Sequence, residues 1–451
     1  MESFLYNDEF KQSKNKNGKE MITSQIIIKM INSDIQRPVY TATNEDKYVS
    51  SAVLSVIGDM IGYGNGEWKY SKFRTITWDS TLEMLFEFIS EGGINNINMN
   101  NWKATYCSLT LISLLSTYSH INKNDELVPY IVRSVFVTNI EKYKKLNNFI
   151  NVDDRYKTKF SQKNENIVKY IESFTKHKIN DNYIYPTEFD ENSYDNKACT
   201  YGIAIGLALN GKKNRNMLIE HALYIATTTH TSPIGYLGCL TVALFIAFAI
   251  ENINIETWAF QLIDILSNNK FIVNFINTQS KINNNNENVL IHYDIYLKYW
   301  TEYVDLRFRD KKPIEMKSMK NVMFRSSFYS KHFGIDKHLS QEGKKYLKSV
   351  IGSTGYSATI VAYDCLLDSK NNWTTAVTYG ILNIGDSSTL GSIIGGIYGT
   401  MYGFDNVPAQ NLIYCPLKDN FISQSFFVYK KYFKKENSID SYMSSESDES
   451  K

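Results

Sequence analysis

The sequence predicts an all-α protein built around one large domain. Apolar residues recur at helical spacing through most of residues 45–435, so that each segment presents one apolar face. The longest apolar run, residues 233–250, carries no charged side chain and predicts a buried central helix. No run alternates apolar and polar residues for long enough to indicate a sheet. Together these observations favour a single compact domain of packed helices.

The helical pattern begins near Tyr48 and continues in separate segments to residue 433. In the first segment the apolar positions are Val49, Val53, Val56, Ile57, Met60 and Ile61. Further helices are predicted over residues 81–89, 102–118, 127–145, 167–174, 199–209, 217–227, 233–250, 255–266, 289–304, 358–367, 373–382, 389–402 and 420–433. The breaks between them are polar and often rich in asparagine, which is typical of loops.

Three polar segments flank or interrupt the predicted domain. Residues 1–44 are rich in lysine, asparagine and serine, and we expect a disordered or loosely docked extension. Residues 146–197 hold few apolar anchors and are predicted to form a polar surface insertion. Residues 436–451 form an acidic, serine-rich tail that we expect to be disordered and open to phosphorylation.

Composition and charge argue against several classes of partner. The chain has 451 residues, of which 43% are hydrophobic, enough for a large core. Its formal net charge is +2, so no electrostatic feature favours a nucleic acid or a membrane surface. We therefore expect neither a nucleic-acid partner nor a membrane partner.

The cysteines and the first residues indicate the compartment. The five cysteines are odd in number and show no CxxC or CxxH spacing, which argues against a zinc site or a disulfide framework. Residues 1–8, MESFLYND, lack the basic and apolar stretches of a signal peptide. A reducing, cytoplasmic location is the expectation.

Residues 233–250 are nearly long enough to cross a membrane. However, the run contains Gly235, Tyr236, Gly238 and Thr241, and it is the lone candidate in the sequence. We therefore favour a buried central helix over a membrane span.

Four blocks of sequence carry a resemblance to a known family. They read GDMIGYGNGEW at residues 58–68, THTSPIGYLG at 229–238, VAYD at 361–364 after Gly355, and GDSST at 385–389. In this order they resemble the ADP-ribosyl-arginine hydrolases, a branch of the ADP-ribosylglycohydrolase family. The resemblance spans residues 48–404 and implies that family's orthogonal helical domain. Taken singly, the glycines would indicate only close helix packing or helix ends.

The resemblance implies a binuclear magnesium site in active members, and most of its carboxylates are missing here. Magnesium requires near-octahedral oxygen coordination, usually including carboxylates. Where the family has a box with two aspartates, residues 105–108 read TYCS, so that Tyr106 and Cys107 stand at the aspartate positions. Tyr106 is too bulky for a ligand, and the Cys107 thiol suits zinc or copper better than magnesium. Thr105 keeps a hydroxyl.

The loop at residues 385–389, which the resemblance also assigns to the metal site, has lost a carboxylate as well. Asp386 keeps its carboxylate, Ser388 replaces the second aspartate, and Thr389 carries a hydroxyl where the family has serine. In the third block, residues 356–357 read Tyr-Ser where the family has His-Asp. One carboxylate with neutral oxygens is not expected to hold two divalent cations. We therefore expect no cofactor, and magnesium at Asp386, Thr389 and Thr105 only if the protein is active.

The positions that the resemblance assigns to substrate are also eroded. Residues 193–197 read SYDNK in place of a glycine-rich loop suited to backbone contact with phosphate. His230 is retained at a helix start, where an imidazole is more often a structural cap than a catalytic group. The substrate-binding residues implied by the resemblance are Tyr201, His230, Gly235, Ser353 and Gly355.

Three functions are compatible with these residues. The leading hypothesis is an inactive relative, a pseudoenzyme that acts by binding or scaffolding, with ADP-ribose or an ADP-ribosylated protein as partner. The second is an active ADP-ribosyl-arginine hydrolase that cleaves the N-glycosidic bond of mono-ADP-ribosylated arginine with Glu67, Asp386 and Thr105 in a rearranged site. A carboxylate from a loop outside the four blocks, such as Asp195 or Asp368, could also reach the substrate cleft that the resemblance implies. The third is a purely structural helical protein. The missing carboxylates favour the first.

Overall fold

The chain is described by a computed structural model that covers residues 42–68, 78–121, 129–145, 189–284, 286–339 and 351–434. Residues 1–41 of the predicted extension, residues 146–188 of the predicted insertion and the tail at 436–451 lie outside the described residues. The predicted helix at 167–174 also lies outside them. What the sequence predicts for these segments stays a prediction.

Helices make up nearly all of the regular structure in the described ranges. The α-helices are α1 (Asn44–Tyr63), α2 (Trp78–Ser90), α3 (Gly93–Asn96), α4 (Tyr106–His120), α5 (Pro129–Lys145), α6 (Tyr201–Ala208), α7 (Arg215–Ala226), α8 (Pro233–Ile250), α9 (Trp258–Asn268), α10 (Lys270–Ile282), α11 (Glu287–Arg307), α12 (Val322–His332), α13 (Gly355–Ser369), α14 (Trp373–Ala376), α15 (Ser387–Tyr402), α16 (Ala409–Ile413) and α17 (Lys418–Val428). Short 3-10 turns lie at Gly64–Gly66, Lys197–Thr200, Lys212–Asn214, Ile255–Thr257 and Lys317–Lys320, and π-helical turns lie at Val377–Ile381 and Tyr429–Lys434. The strands β1 (Phe308–Arg309) and β2 (Lys312–Pro313) pair antiparallel as one small hairpin. The predicted all-α fold is confirmed.

Four helices, the short α3 and α16 and the longer α10 and α12, lie outside the segments that the apolar pattern predicts. Each of the two longer helices follows an asparagine. Asn269 Oδ1 accepts hydrogen bonds from the backbone amides of Phe271 and Ile272, and Asn321 caps α12 in the same way. Asparagine is among the best N-cap residues because its side chain satisfies amides that have no partner within the helix. The same residues therefore mark helix starts as well as loops.

The domain begins with a capping box at the start of α1. The Thr43 hydroxyl accepts from the amide of Asp46 at 3.1 Å, and an Asp46 carboxylate oxygen accepts from the amide of Thr43 at 2.9 Å. This reciprocal pair satisfies two amides at once. It places the first helical residue at Asn44, one position before the predicted boundary at residue 45.

Helices α1 and α15 run antiparallel in unusually close contact. A Cβ added at Gly395 would lie 2.0 Å from the carbonyl oxygen of Leu54, and one added at Gly62 would lie 2.1 Å from that of Ser387. The hydroxyls of Ser55 and Ser392 lie 2.7 Å apart in the same interface. Small residues let the two backbones meet, and this contact brings the end of α1 to the start of α15.

The centre of the domain is α8, and every one of its residues is buried. It packs against α6, α7, α11, α13 and α15. Although its length and hydropathy would allow it to cross a membrane, all of that window is buried inside the protein. The prediction of a buried central helix is confirmed.

Candidate functional site

The positions that the resemblance assigns to a metal site come together where α4 and α15 begin. The Cys107 thiol donates to the Thr389 hydroxyl across 3.6 Å. The Thr389 hydroxyl in turn donates to a carboxylate oxygen of Asp386 at 3.0 Å, and Ser388 donates to the same oxygen at 3.4 Å. Asp386 is fully buried and caps α15 through the amide of Thr389. The matched positions of two distant sequence blocks therefore form one buried cluster.

Asp59 on α1 fixes the start of α4 against this cluster. One carboxylate oxygen accepts from the amide of Thr105 at 2.9 Å and from the hydroxyl of Ser108 at 2.6 Å. The other oxygen accepts from the hydroxyl of Thr105 at 2.7 Å. Asp59 is fully buried, and it holds Thr105, which is the N-cap residue of α4. The Thr105 hydroxyl donates to Asp59 and accepts from the amide of Cys107 at 3.2 Å.

The cluster does not fit a binuclear magnesium centre. Two divalent cations need several carboxylates and carbonyls in open octahedral arrangements. Asp59 already accepts three hydrogen bonds, and Asp386 accepts from the backbone and hydroxyls of its own helix. The thiol of Cys107 is a soft donor that magnesium does not favour. Among the residues that the structure describes, no group of three or more His, Cys, Asp or Glu is placed to hold a metal ion.

Glu67 and Tyr106, which the sequence analysis also places at this site, are not part of the buried cluster. Glu67 lies in the turn after Gly64–Gly66 and is exposed, whereas Asp386 is fully buried. The two carboxylates proposed for an active enzyme therefore lie in different environments. Tyr106 is the first residue of α4 and is half-buried against the core.

A second buried network lies at the start of α8 and contains the retained histidine. His230 Nε2 lies 2.8 Å from a carboxylate oxygen of Asp195, and its Nδ1 lies 2.7 Å from the Thr229 hydroxyl. The Thr229 hydroxyl lies 3.0 Å from the phenol oxygen of Tyr201. Burial alone would raise the pKa of Asp195, but His230 and Lys197 lower it well below its usual range. Asp195 is therefore an anion at neutral pH, held beside the imidazole.

Tyr201 is the fourth member of this network. It is fully buried, and its ring packs edge-on against Phe136 with ring centroids 5.3 Å apart. Burial raises its pKa well above the ordinary value, while the hydrogen bond to Thr229 lowers it slightly. The phenol therefore stays protonated at neutral pH.

The glycines assigned to substrate are in contact with protein backbone. A Cβ added at Gly355 would lie 1.9 Å from the carbonyl oxygen of Ile234, and one at Gly235 would lie 2.7 Å from that of Ser193. Ser353 is fully buried in the turn that precedes α13. These residues therefore allow the starts of α8 and α13 and the residues near Ser193 to meet closely.

Residues 194–197 correct one sequence prediction. They belong to the segment 146–197 that was predicted to lie on the surface, yet all four are buried. Asp195 forms a β-bridge with Thr354, and the carbonyl oxygen of Tyr194 accepts from the amide of Gly355 at 3.2 Å. The polar composition of this segment predicts exposure to solvent. Its backbone groups instead form hydrogen bonds with the residues at the start of α13, which allows the segment to be buried. The sequence predicts Asp195 only as one carboxylate that could reach the cleft, and it does not indicate that the Ser193 hydroxyl accepts from the amides of Thr231 and Ser232.

Asp364, from the third block, anchors a buried ion cluster away from these helix starts. It accepts from Arg307 Nε at 2.6 Å, from Arg325 Nη1 at 2.7 Å and from the phenols of Tyr303 and Tyr329. Asp368, one turn further along α13, accepts from both arginines. At about 1.5 Å rise per residue, Asp364 lies about 13 Å along α13 from its first residue. Asp364 and Asp368 are thus engaged in joining α11 and α12 to α13.

The positions at which the third block departs from its pattern are also engaged internally. The Tyr356 phenol donates to the carbonyl oxygen of Gly334 at 2.6 Å, and its ring stacks on Tyr299 with centroids 4.2 Å apart. The Ser357 hydroxyl accepts from the amide of Gly352 at 3.0 Å. These two residues stabilise the turns around α13.

Comparison with known proteins decides the family. The model of the ADP-ribosylglycohydrolase family matches residues 41–423, which is most of the chain. The chain belongs to the ADP-ribosylglycohydrolase family. The resemblance drawn from the four sequence blocks is thereby confirmed.

Named relatives in this family come from a virus and an amoeba. An Acanthamoeba polyphaga mimivirus protein whose name assigns it to the ADP-ribosyl glycohydrolases is 30% identical over 76% of this chain. The match spans 62% of the length of that viral protein. The ADP-ribosylhydrolase ARH1 of Dictyostelium discoideum is 22% identical, with 86% of this chain and 94% of the relative covered.

Among solved structures, an ADP-ribosylglycohydrolase-related protein complex aligns with a TM-score of 0.46 and 12% sequence identity. The alignment covers 86% of this chain and 99% of the other.

Proposed function

We propose that this protein is a catalytically inactive member of the ADP-ribosylglycohydrolase family that acts by binding or scaffolding. The contact between the Cys107 thiol and the Thr389 hydroxyl carries this proposal. It places a soft, neutral pair at the position where the resemblance expects a carboxylate to face the metal loop. A site that depends on magnesium loses affinity steeply as carboxylates are removed.

The hydrogen bonding of the remaining carboxylates supports the same function. Asp386 caps α15, and Asp59 holds Thr105, the N-cap residue of α4, so that each is used by the fold. Recruiting either one to a metal would leave backbone amides that it now satisfies without their acceptor. The cluster is therefore better suited to stability than to holding a reactive ion.

A second candidate is an active ADP-ribosyl-arginine hydrolase with a rearranged site. The pair of Asp195 and His230 favours it, because it supplies a carboxylate and an imidazole beside the helix starts. Such a pair could serve in proton transfer to a water or a leaving group. In that case magnesium would be bound through Asp386, Thr389 and Thr105.

The partner and location follow as proposals from the same residues. We propose ADP-ribose or an ADP-ribosylated protein as the ligand class, without a cofactor, and without a nucleic-acid or membrane partner. All five cysteines are unpaired thiols and are buried, which supports a cytoplasmic setting.

Release of ADP-ribose from mono-ADP-ribosylated arginine, with and without millimolar magnesium, tests the proposed function. We expect no release above that of a protein-free control in either condition. Magnesium-dependent release that disappears in Asp386→Ala would instead establish the active hydrolase. Release that is independent of magnesium and lost in Asp195→Asn would establish a metal-free enzyme, and would also contradict the proposal.

A further inference from the structure

We infer that an apolar stripe on the exposed face of α2 is a docking surface for the N-terminal extension of this chain, which binds it through the apolar run at residues 26–28. The stripe consists of Leu82, Phe86 and Ile89. The inference goes beyond the proposed function, because it involves none of the residues assigned to the family's site. It holds whether or not the protein hydrolyses a substrate.

The stripe is the most exposed apolar surface of its kind in the described residues. Phe86 and Ile89 are 65% and 63% exposed, which are the highest values among the large apolar side chains, and Leu82 is half-buried. Residues spaced by three and four positions share one face of a helix, so these three form a continuous stripe. Met84 and Phe88, on the opposite face, are buried in the core. A contiguous exposed apolar face of this kind marks an interaction surface.

Acidic residues border the stripe and select its occupant. Glu83 is exposed and precedes Phe86 by three residues, and Glu87 lies four residues further along the same side of α2. Two copies of this chain that joined through the stripe would bring carboxylates of both helices together, and like charges at close range repel each other. The charge therefore favours a basic occupant over a second copy.

The N-terminal extension supplies both basic and apolar groups. Its residues 1–41 lie outside the described residues, and the sequence analysis expects them to be disordered or loosely docked. Residues 11–31 hold five lysines and one acidic residue, and residues 26–28 within this stretch read Ile-Ile-Ile. Docking of this run on Phe86 and Ile89 would remove apolar surface of both partners from water, which is favourable. The lysines would then lie beside the carboxylates of α2.

The extension is long enough to reach the stripe. Helix α1 begins at Asn44, and its 20 residues span about 30 Å. Beyond its far end, the ring of Trp68 packs against Phe88 of α2 with centroids 5.8 Å apart, so the stripe lies near that end. Residues 29–41 span about 45 Å when extended. The run at residues 26–28 can therefore lie on the stripe while the chain enters α1.

Disulfide closure in the full-length protein tests the inference. Gln25→Cys places a thiol beside the apolar run, and Ser90→Cys places one at an exposed position beside Ile89, so that no apolar residue of either surface is altered. All five native cysteines are buried, and the introduced pair should therefore react first under mild oxidation. Non-reducing electrophoresis over time measures the rate of closure.

The matched control is Gln25→Cys with Lys430→Cys. Lys430 is also exposed, and it adjoins Tyr429, whose ring lies 5.4 Å from that of Tyr48 near the start of α1. An undocked extension would meet position 430 more readily than position 90, because a shorter span has to be bridged. We expect closure with position 90 to be about tenfold faster than with position 430, because docking raises the effective concentration of the two thiols.

Substitution of the stripe itself completes the test. Phe86→Ser in the Gln25→Cys, Ser90→Cys background should lower the rate of closure to that of the control pair. Phe427→Ser, which removes an exposed phenylalanine of α17, should leave the rate unchanged. Far-UV circular dichroism and thermal unfolding establish that each variant is folded.

Closure at position 90 that is no faster than at position 430 would overturn the inference. Closure that Phe86→Ser leaves unchanged would overturn it as well. A disulfide that forms between two chains and disappears on dilution would also overturn it, and would assign the stripe to a second copy of this chain.

Discussion

The thiol of Cys107 contacts the hydroxyl of Thr389 across the junction of α4 and α15. These residues lie in different sequence blocks, and each stands at a position that the resemblance assigns to the metal site. Both side chains are neutral here, and the junction is tied to carboxylates by hydrogen bonds from Thr389 to Asp386 and from Thr105 to Asp59. Carboxylates at Cys107 and at the neighbouring Ser388 should therefore allow the junction to bind magnesium.

The double variant Cys107→Asp with Ser388→Asp should be less stable than the wild type without metal, because it crowds buried negative charge around Asp386. Millimolar magnesium should then raise its unfolding temperature. Saturation at about a hundredfold excess over the dissociation constant would add roughly 2.7 kcal/mol of unfolding free energy. Thermal unfolding against magnesium concentration measures the effect. The neutral Cys107→Asn with Ser388→Asn variant is the control, and a magnesium-dependent rise in the wild type would contradict the prediction.

Adjacent glycines of α15 should differ sharply in their tolerance of a methyl group. In Gly395→Ala the new Cβ would lie 2.0 Å from the Leu54 carbonyl oxygen, so the backbones of α1 and α15 must separate. Overpacking of this kind costs about 1–3 kcal/mol or more. In Gly396→Ala the nearest atom, at 2.8 Å, is the end of the Ile203 side chain, which can move. Urea unfolding of the two variants should therefore show the larger loss for Gly395→Ala, and equal losses would refute the backbone contact.

Asp364→Asn should strongly destabilise the protein. Asp364 is fully buried and accepts from both Arg307 and Arg325, whose positive charges would lose their main partner. Breaking a buried ion pair from one side costs about 3–5 kcal/mol. The matched variant Asp368→Asn should cost less, because the Asp368 side chain is 26% exposed to water. Denaturant unfolding measures both, and the reverse order would show that Asp364 is not the centre of the cluster.

Acid should destabilise the protein through His292. Its Nδ1 lies 2.8 Å from the hydroxyl of Ser232, the cap of α8. Burial lowers the pKa of His292 to about 4, although Asp336 opposes the shift. Since an unfolded histidine titrates near pH 6.5, the unfolded state takes up a proton first as the pH falls. Stability is therefore lost between about pH 6.5 and pH 4, by roughly 3 kcal/mol in total.

The variant His292→Asn isolates this contribution from that of the carboxylates. Between pH 7 and pH 4 its free energy of unfolding should change less than that of the wild type. Above pH 7 the free energies of the two proteins should change in parallel. Urea unfolding at several pH values measures both curves. Parallel curves between pH 7 and pH 4 would show that the pKa of His292 is the same in the folded and unfolded states, which would contradict the prediction.

Much of the fold could be predicted from the sequence, because helical periodicity is a local property. Residues three and four apart share a face, so the apolar pattern alone placed α8 and located α15. The longer of the missed helices, α10 and α12, have Asn269 and Asn321 as their N-caps. An asparagine is compatible with a loop and with a helix cap, and only the packing of the following residues decides between the two.

The sequence by itself determined that the protein is helical and that residues 233–250 are buried, and it predicted, through the resemblance, which residues replace metal carboxylates. The tertiary structure decided what those replacements do. Only the close packing of α1 on α15 shows that Asp59 holds Thr105, the cap of α4, and that Cys107 meets Thr389. Only the tertiary structure shows that the polar residues 194–197 are buried. The physical reason is that hydrogen bonds between distant residues depend on how helices pack, which the sequence encodes only collectively.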